Sequence, residues 1–236
     1  MDNNGTHIVL VPGFWLGSWA WDDVAGRLRA LGHPVTALTL PGLEPDAAAR
    51  EDVRLVDQTR AIERAIDAAG PARVVLVAHS GAAVPATAAL DARVEAVAHA
   101  VWVDTVPAVD GYRMNAGLEA PDYPLSAAWD EEFEQGSMRD LTDAQLETFR
   151  ERAVPEPAGV LRDPVQLTDP RRLDVPGTVV CTAFTAAEYR SYAEQGMSFL
   201  AGLLEFRALD LVDLPTGHWP MWSRPAELAQ LIADRA

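Results

Sequence analysis

The chain contains no lysine: all 19 of its basic residues are arginine. A lysine Schiff base, a P-loop lysine and a lysine general acid are therefore excluded from its chemistry. Cysteine is almost as scarce. Cys181 is the only one, which rules out an internal disulfide and any multi-cysteine metal site. Such usage fits a reducing, cytoplasmic compartment. No apolar run approaches the roughly 18 residues that a membrane span needs. The stretch Met1 to Thr6 has neither a basic region nor an apolar one, so no secretory signal is expected there. Positive charge is outweighed as a whole, with 35 acidic residues and a formal net charge of −16. A surface of that sign repels phosphate backbones and anionic lipid, so neither nucleic acid nor a membrane is an expected partner.

What is present suffices for one substantial core: 236 residues, 49% of them hydrophobic. Strand and helix patterns alternate, which predicts a parallel sheet with helices on both faces. His7–Val11 is an apolar run ended by Pro12-Gly13. A helical spacing runs from Ser18 to Leu31 and stops at Gly32. Val35–Leu40 reads as a strand, Val53–Ala69 as a helix closed by Gly70-Pro71, and Arg73–Val77 as a buried strand. A helix to about Leu90 and the strand Ala98–Val103 follow. From Pro107 to Asp174 seven prolines punctuate short segments, and Thr142-Asp-Ala-Gln145 reads as a capping box. Regularity resumes with Thr178–Thr182, a helix near 186–203, the strand Phe206–Leu211 and a last helix from Pro225. The expected fold is a doubly wound, mainly parallel six-stranded α/β sheet. Its two core parts, 1–106 and 175–236, flank a helical lid at 107–174, inserted after the fourth strand.

Ala78-His79-Ser80-Gly81-Ala82, directly after a buried strand, carries the densest chemical information. It fits a nucleophile elbow, in which a strained serine projects above the sheet and the residues two before and two after it must be tiny. The alternative is a strand–helix junction whose serine caps the helix. A serine nucleophile needs a base. Of five histidines, His218 lies in Leu214-Pro-Thr-Gly-His-Trp-Pro220, a loop at the carboxyl edge of the sheet, where Ser80 also emerges. His7 and His99 belong to strands, His33 to the opposite edge, and His79 is expected to point away from the serine into packing. The imidazole in turn needs a carboxylate. Asp104 ends the strand after the elbow helix and is the preferred acid; Glu188 is the alternative. Backbone N–H groups of Phe14 and Gly81 are placed to stabilise an oxyanion. Trp15, Trp129, Phe133 and Trp219 are candidate lining for an apolar pocket.

Four segments in order carry a resemblance. They are Val9–Trp21, Leu40-Pro-Gly-Leu43, Ala78–Ala82 and Pro215-Thr-Gly-His-Trp-Pro-Met221. Through them the whole chain resembles the α/β-hydrolase superfamily, in particular its small cofactor-free serine esterase and lactonase branch. The resemblance implies Ser80 as nucleophile, His218 as general base and acid, and Phe14 with Gly81 as oxyanion donors. Three departures stand out. Pro12 replaces the usual histidine, both elbow glycines are alanines, and no aspartate follows the family's seventh strand. Some relatives carry the acid after the sixth strand instead, 24 residues beyond the nucleophile, which is the spacing of Asp104 from Ser80. The expected activity is hydrolysis of a small to medium, largely neutral and hydrophobic ester or lactone through an acyl-enzyme. Neither metal nor organic cofactor is implied, and the chain is expected as a monomer or homodimer. A C–C hydrolase, lyase or cyclase with the same triad, or a non-catalytic ligand-binding protein of this fold, are the alternatives.

Overall fold

Apolar runs with almost no polar interruption form the middle of one sheet, and the site grows from its edge. The structure, a computed structural model, describes residues 6–236. Strand β1 (His7–Val11) leads through a 3₁₀ turn to helix α1 (Asp22–Ala30) and the short strand β2 (Val35–Ala37). Helix α2 (Leu55–Ala68), strand β3 (Val74–His79), helix α3 (Ala83–Ala92) and strand β4 (Val97–Val103) follow. After an insertion that holds two short strands and three helices come β7 (Gly177–Cys181), α7 (Ala186–Glu194), α8 (Gly202–Glu205) and β8 (Leu209–Asp213). Two last helices, α9 (Pro220–Ser223) and α10 (Pro225–Ala233), end the chain. The six strands lie in the order β2-β1-β3-β4-β7-β8, every pair parallel. Among the described residues, no helix is long and apolar enough to cross a membrane.

The period-2 geometry of a strand sends neighbouring side chains to opposite faces, so a doubly covered strand must be apolar throughout. All six residues of β3 are buried. Val75 and Val77 meet α1 and α10 through Val24, Leu28, Leu228 and Ile232. Leu76 and Ala78 face α2 and α3 through Ile62, Ile66, Ala86 and Leu90. Each fully buried Val, Leu or Ile contributes roughly 1.5–3 kcal/mol, so these two layers supply the main driving force.

Between β4 and β7 the insertion holds a two-stranded antiparallel ribbon of β5 (Asp122–Tyr123) and β6 (Glu156–Pro157). Helices α4 (Leu125–Glu134) and α5 (Asp143–Arg152) lie between the ribbon strands, and α6 (Ala158–Arg162) follows them. The Thr142 capping box opens α5 as expected.

Several boundaries differ from the sequence pattern. The helix expected over 186–203 is broken: Gly196 takes φ +85° just after α7 ends, and a 3₁₀ turn at Ser198–Leu200 precedes α8. The last strand begins at Leu209 rather than Phe206, because pairing with β7 starts at Gly177↔Leu209 while Phe206 is buried ahead of the ladder. Strand β2 stops at Ala37, short of Leu40, where its pairing with β1 ends.

Because β1 lies between β2 and β3, the chain leaves β1 and β3 toward opposite faces of the sheet. Loops after these two strands therefore diverge at their carboxyl ends and leave a crevice there, the usual ligand position in open α/β sheets.

Candidate active site

Ser80 stands between β3 and a single 3₁₀ turn that runs into α3, and its φ is +52°. A left-handed backbone at a non-glycine residue costs of order 1–3 kcal/mol, and such residues concentrate where function requires them. Among the described residues, five non-glycine residues take positive φ, and three of them, Trp15, Ser80 and Asp104, meet here. Ala78 and Ala82, flanking at two residues' distance, are buried and small enough for the strand and helix to approach. Gly81 is required by proximity. A Cβ there would collide with the Phe14 ring, and one at Gly13 would lie 2.7 Å from His79 Nδ1.

His218 reaches Ser80 from the loop between β8 and α9. Ser80 Oγ donates to His218 Nε2 at 2.7 Å, and His218 Nδ1 donates to Asp104 Oδ2 at 2.6 Å. The carboxylate thus selects the tautomer whose Nε2 lone pair faces the serine. The other oxygen of Asp104, Oδ1, accepts from the backbone N–H of Thr182 and of Ala183 (3.2 Å each) and from Tyr189 Oη (3.0 Å). Burial would push the Asp104 carboxyl up, but the hydrogen bond and charge of His218, with the Thr182 contacts, hold it down at about 2. Burial likewise works against a charged His218, yet Asp104 outweighs it and the imidazole lies above its ordinary value. The Tyr189 phenol is pushed far up by burial and by the carboxylate it serves.

Of the other histidines, His7 and His99 share hydrogen bonds with Thr36 and Thr178 inside the sheet. His79 does enter packing, but closer to the site than its position suggests. Its ring lies 4.8 Å from that of His218, and its Nε2 donates to the His218 carbonyl at 2.7 Å. Burial and the neighbouring imidazole hold it down at about 3, so it stays neutral. Glu188 is exposed and bonds Thr185 at the start of its own helix α7. It does not meet His218; Asp104 does.

The loop after β1 brings Phe14 over Gly81. Trp15, next to it, takes φ +66° and is tied to the insertion through its carbonyl and its indole N–H. Its carbonyl accepts from Val154 N–H at 3.0 Å, and its indole N–H donates to the Tyr123 carbonyl at 2.8 Å. Glu156 is 1% exposed, accepts from Gln58 Nε2 at 2.7 Å, and is pushed up to about 8 by burial. Tyr189 and Glu156 were invisible as site residues in the sequence. The only local cue was for Tyr189, one residue past a capping box that fixes where α7 starts.

Two adjoining cavities of about 330 Å³ each meet at Ser80 and His218. One runs along α3 past Gly81, Val84 and Ala108 to Tyr112 and Met114. The other is walled by Trp15, Tyr123, Phe184 and Trp219, with Glu132 and Ser137 from the insertion. Trp15 and Trp219 therefore stand where the sequence reading puts them. Trp129 and Phe133 do not. Trp129 lines a separate surface hollow with Pro124 and Leu125, and the Arg150 guanidinium lies 3.8 Å above its ring. Phe133 is 59% exposed and lines neither cavity. Both belong to α4, whose buried side is Leu125 and Ala128, so the helix turns these two aromatics elsewhere.

A parallel sheet that presents a serine, a histidine and a carboxylate in one hydrogen-bonded line at its carboxyl edge defines a hydrolase-type fold and site. The chain belongs to the alpha/beta hydrolase family, whose model matches residues 8–231. Among curated proteins it is 34% identical over 121 residues to a probable esterase, PIR7A, of Oryza sativa subsp. indica; the match covers 50% of this chain and 46% of that protein. The chain thus spans about half the length of these rice relatives. It is 26% identical over 266 residues to methylesterase 7 of Arabidopsis thaliana, covering 99% and 97% of the two chains. Among solved structures, an extracellular alpha/beta-hydrolase from a Paenibacillus species matches with a TM-score of 0.73 at 20% identity. That match covers 98% of this chain and 99% of the other, and it bears on the fold.

Proposed function

We propose that the protein is a serine carboxylic-ester hydrolase acting on small to medium, largely neutral esters, with lactones as a further substrate class. The observation that carries this reading is the unbroken line from Ser80 Oγ to His218 to Asp104, at 2.7 and 2.6 Å. The esterase and methylesterase relatives support the same chemistry.

The steps follow from the geometry. Ser80 Oγ attacks the substrate carbonyl as its proton passes to His218 Nε2, and Asp104 stabilises the imidazolium so formed. Negative charge gathering on the carbonyl oxygen is met by the backbone N–H groups of Phe14 and Gly81, with the field of α3 behind Gly81. His218 then returns its proton to the leaving alcohol oxygen and the C–O bond breaks, leaving an acyl-serine. Water, deprotonated by His218, attacks that ester; the carboxylic acid leaves and Ser80 recovers its proton. The reaction needs no group outside this chain and water.

A fluorophosphonate probe and a panel of ester and lactone substrates test the reading. Labelling is expected at Ser80, and Ser80→Ala is expected to lose both labelling and turnover. Ester turnover retained in Ser80→Ala would overturn it.

A further inference from the structure

We infer that the cavity on the histidine side is a leaving-group chamber for cationic alcohols, with Glu132 as the charge partner; this rests on the ester-hydrolase reading above and extends its substrates from neutral esters to those of positively charged alcohols. Amino alcohols and quaternary ammonium alcohols are the class it would take.

The direction of the substrate follows from the site. His218 must hand its proton to the departing oxygen, so the leaving group lies toward the cavity walled by the histidine loop, by Ala183 and Phe184, and by the insertion. The acyl chain then follows the other cavity, which continues from Gly81 along α3.

The two chambers differ in chemistry. Among the described residues, no arginine lines either one. The α3 chamber has no carboxylate beyond Asp104, which is bonded to His218. The histidine-side chamber adds Glu132 to a wall of aromatic rings: Trp15, Tyr123, Phe184, Phe199 and Trp219. Ring faces and a carboxylate converging on one space are the arrangement that recognises ammonium groups.

Glu132 has no evident structural reason to be there. It is half-buried and makes no ion pair among the described residues. It lies in the last turn of α4, where the helix dipole disfavours a negative charge. Nearby arginines are engaged elsewhere: Arg139 donates to the Thr182 carbonyl at 2.8 Å, and Arg150 covers Trp129. Burial is the larger influence on Tyr123, and burial and Asp104 are the larger ones on His218, but the charge of Glu132 reaches both. The same carboxylate repels an alcohol that carries a carboxylate of its own.

Three esters of one acyl group isolate the effect: the choline ester, its neutral isostere the 3,3-dimethylbutyl ester, and a 3-carboxypropyl ester. At low, fixed ionic strength kcat/KM is expected to favour choline over the isostere by about tenfold, with the carboxylate ester slowest. Glu132→Gln is expected to bring the choline-to-isostere ratio near one, chiefly by raising KM for the choline ester. Glu132→Lys is expected to put the carboxylate ester ahead of the choline ester. Equal rates on choline and neutral esters in the unsubstituted enzyme, or a choline preference that survives Glu132→Gln, would overturn the inference and leave the hydrolase reading intact. No cleavage of any of the three, with Ser80 unlabelled by the fluorophosphonate, would overturn both.

Discussion

Asp104 Oδ1 is held by three donors, and only the Tyr189 hydroxyl can be deleted without disturbing backbone. Tyr189→Phe removes one stabilising hydrogen bond from the carboxylate, which then accepts more strongly from the imidazolium. His218 already lies above its ordinary value, and this substitution is expected to raise it further. Since the base must be neutral, activity is lost as pH falls through that value. The acidic limb of the kcat/KM profile should therefore move to higher pH by several tenths of a unit, whereas a purely packing role for Tyr189 would leave the limb in place. A second pair of substitutions separates the two acid candidates. Asp104→Asn is expected to lower kcat by roughly 10³–10⁴, the scale of losing the tautomer that presents a free Nε2. Glu188→Gln, on an exposed helix start, should change it less than about twofold. Ser80 and His218 were legible because each sits in a short motif whose neighbours meet local steric demands. Asp104 was legible from its strand-end position and its spacing. Tyr189 was not, since only the docking of α7 on the sheet brings its hydroxyl to the carboxylate.

At the scale of elements, the two-residue strands β5 and β6 clamp the loop that carries Phe14. Glu156 is the buried member of that clamp, lying at about 8 against an ordinary value of 4.5. Between those two values the folded chain holds a proton that the unfolded chain has released, so stability falls as pH rises through this window. Glu156→Gln removes that titration. Urea midpoints measured at pH 6 and pH 9 should fall less in Glu156→Gln than in the parent, and an equal fall would show that the carboxyl does not titrate there. Glu156→Ala also strips the Gln58 Nε2 donor of its buried acceptor, at a cost of about 1–3 kcal/mol. With the clamp on Trp15 loosened, kcat is expected to drop more than KM rises, as the oxyanion role proposed for the Phe14 N–H requires. None of this was visible in the sequence. A Glu-Pro pair between other prolines gives no strand signal, and a ribbon this short exists only because the core offers Trp15 to bond. The sheet was legible for the converse reason: doubly covered strands must be apolar throughout, and glycines and prolines close the elements between them. Boundaries slipped where pairing register or one glycine decided, as at Leu209 and Gly196.

For the molecule as a whole, the balance of charge becomes a stability term. Several arginines are spent on ion pairs that tie segments together: Arg54 with Asp163, Arg93 with Glu63 and Asp67, and Arg172 with Asp91. The Arg54 and Arg93 pairs lie at the surface and are worth about 0–1 kcal/mol each, whereas Arg172 and Asp91 are both buried. Against them stands the mutual repulsion of an excess of 16 negative charges, which works over longer distances and is screened once the Debye length falls below the spacing between charges. Salt weakens both terms, and the sign of its net effect shows which is larger. The pairs are few and the excess large, so raising sodium chloride from about 0.02 to 0.5 M, where screening shortens from some 20 Å to a few, should raise the melting temperature by a few degrees. A fall over the same range would mean that the arginine pairs, rather than the uncompensated acids, dominate the electrostatics of the folded chain. The same field draws cations toward the site, so added salt should slow a positively charged ester more than its neutral isostere even as it stabilises the protein.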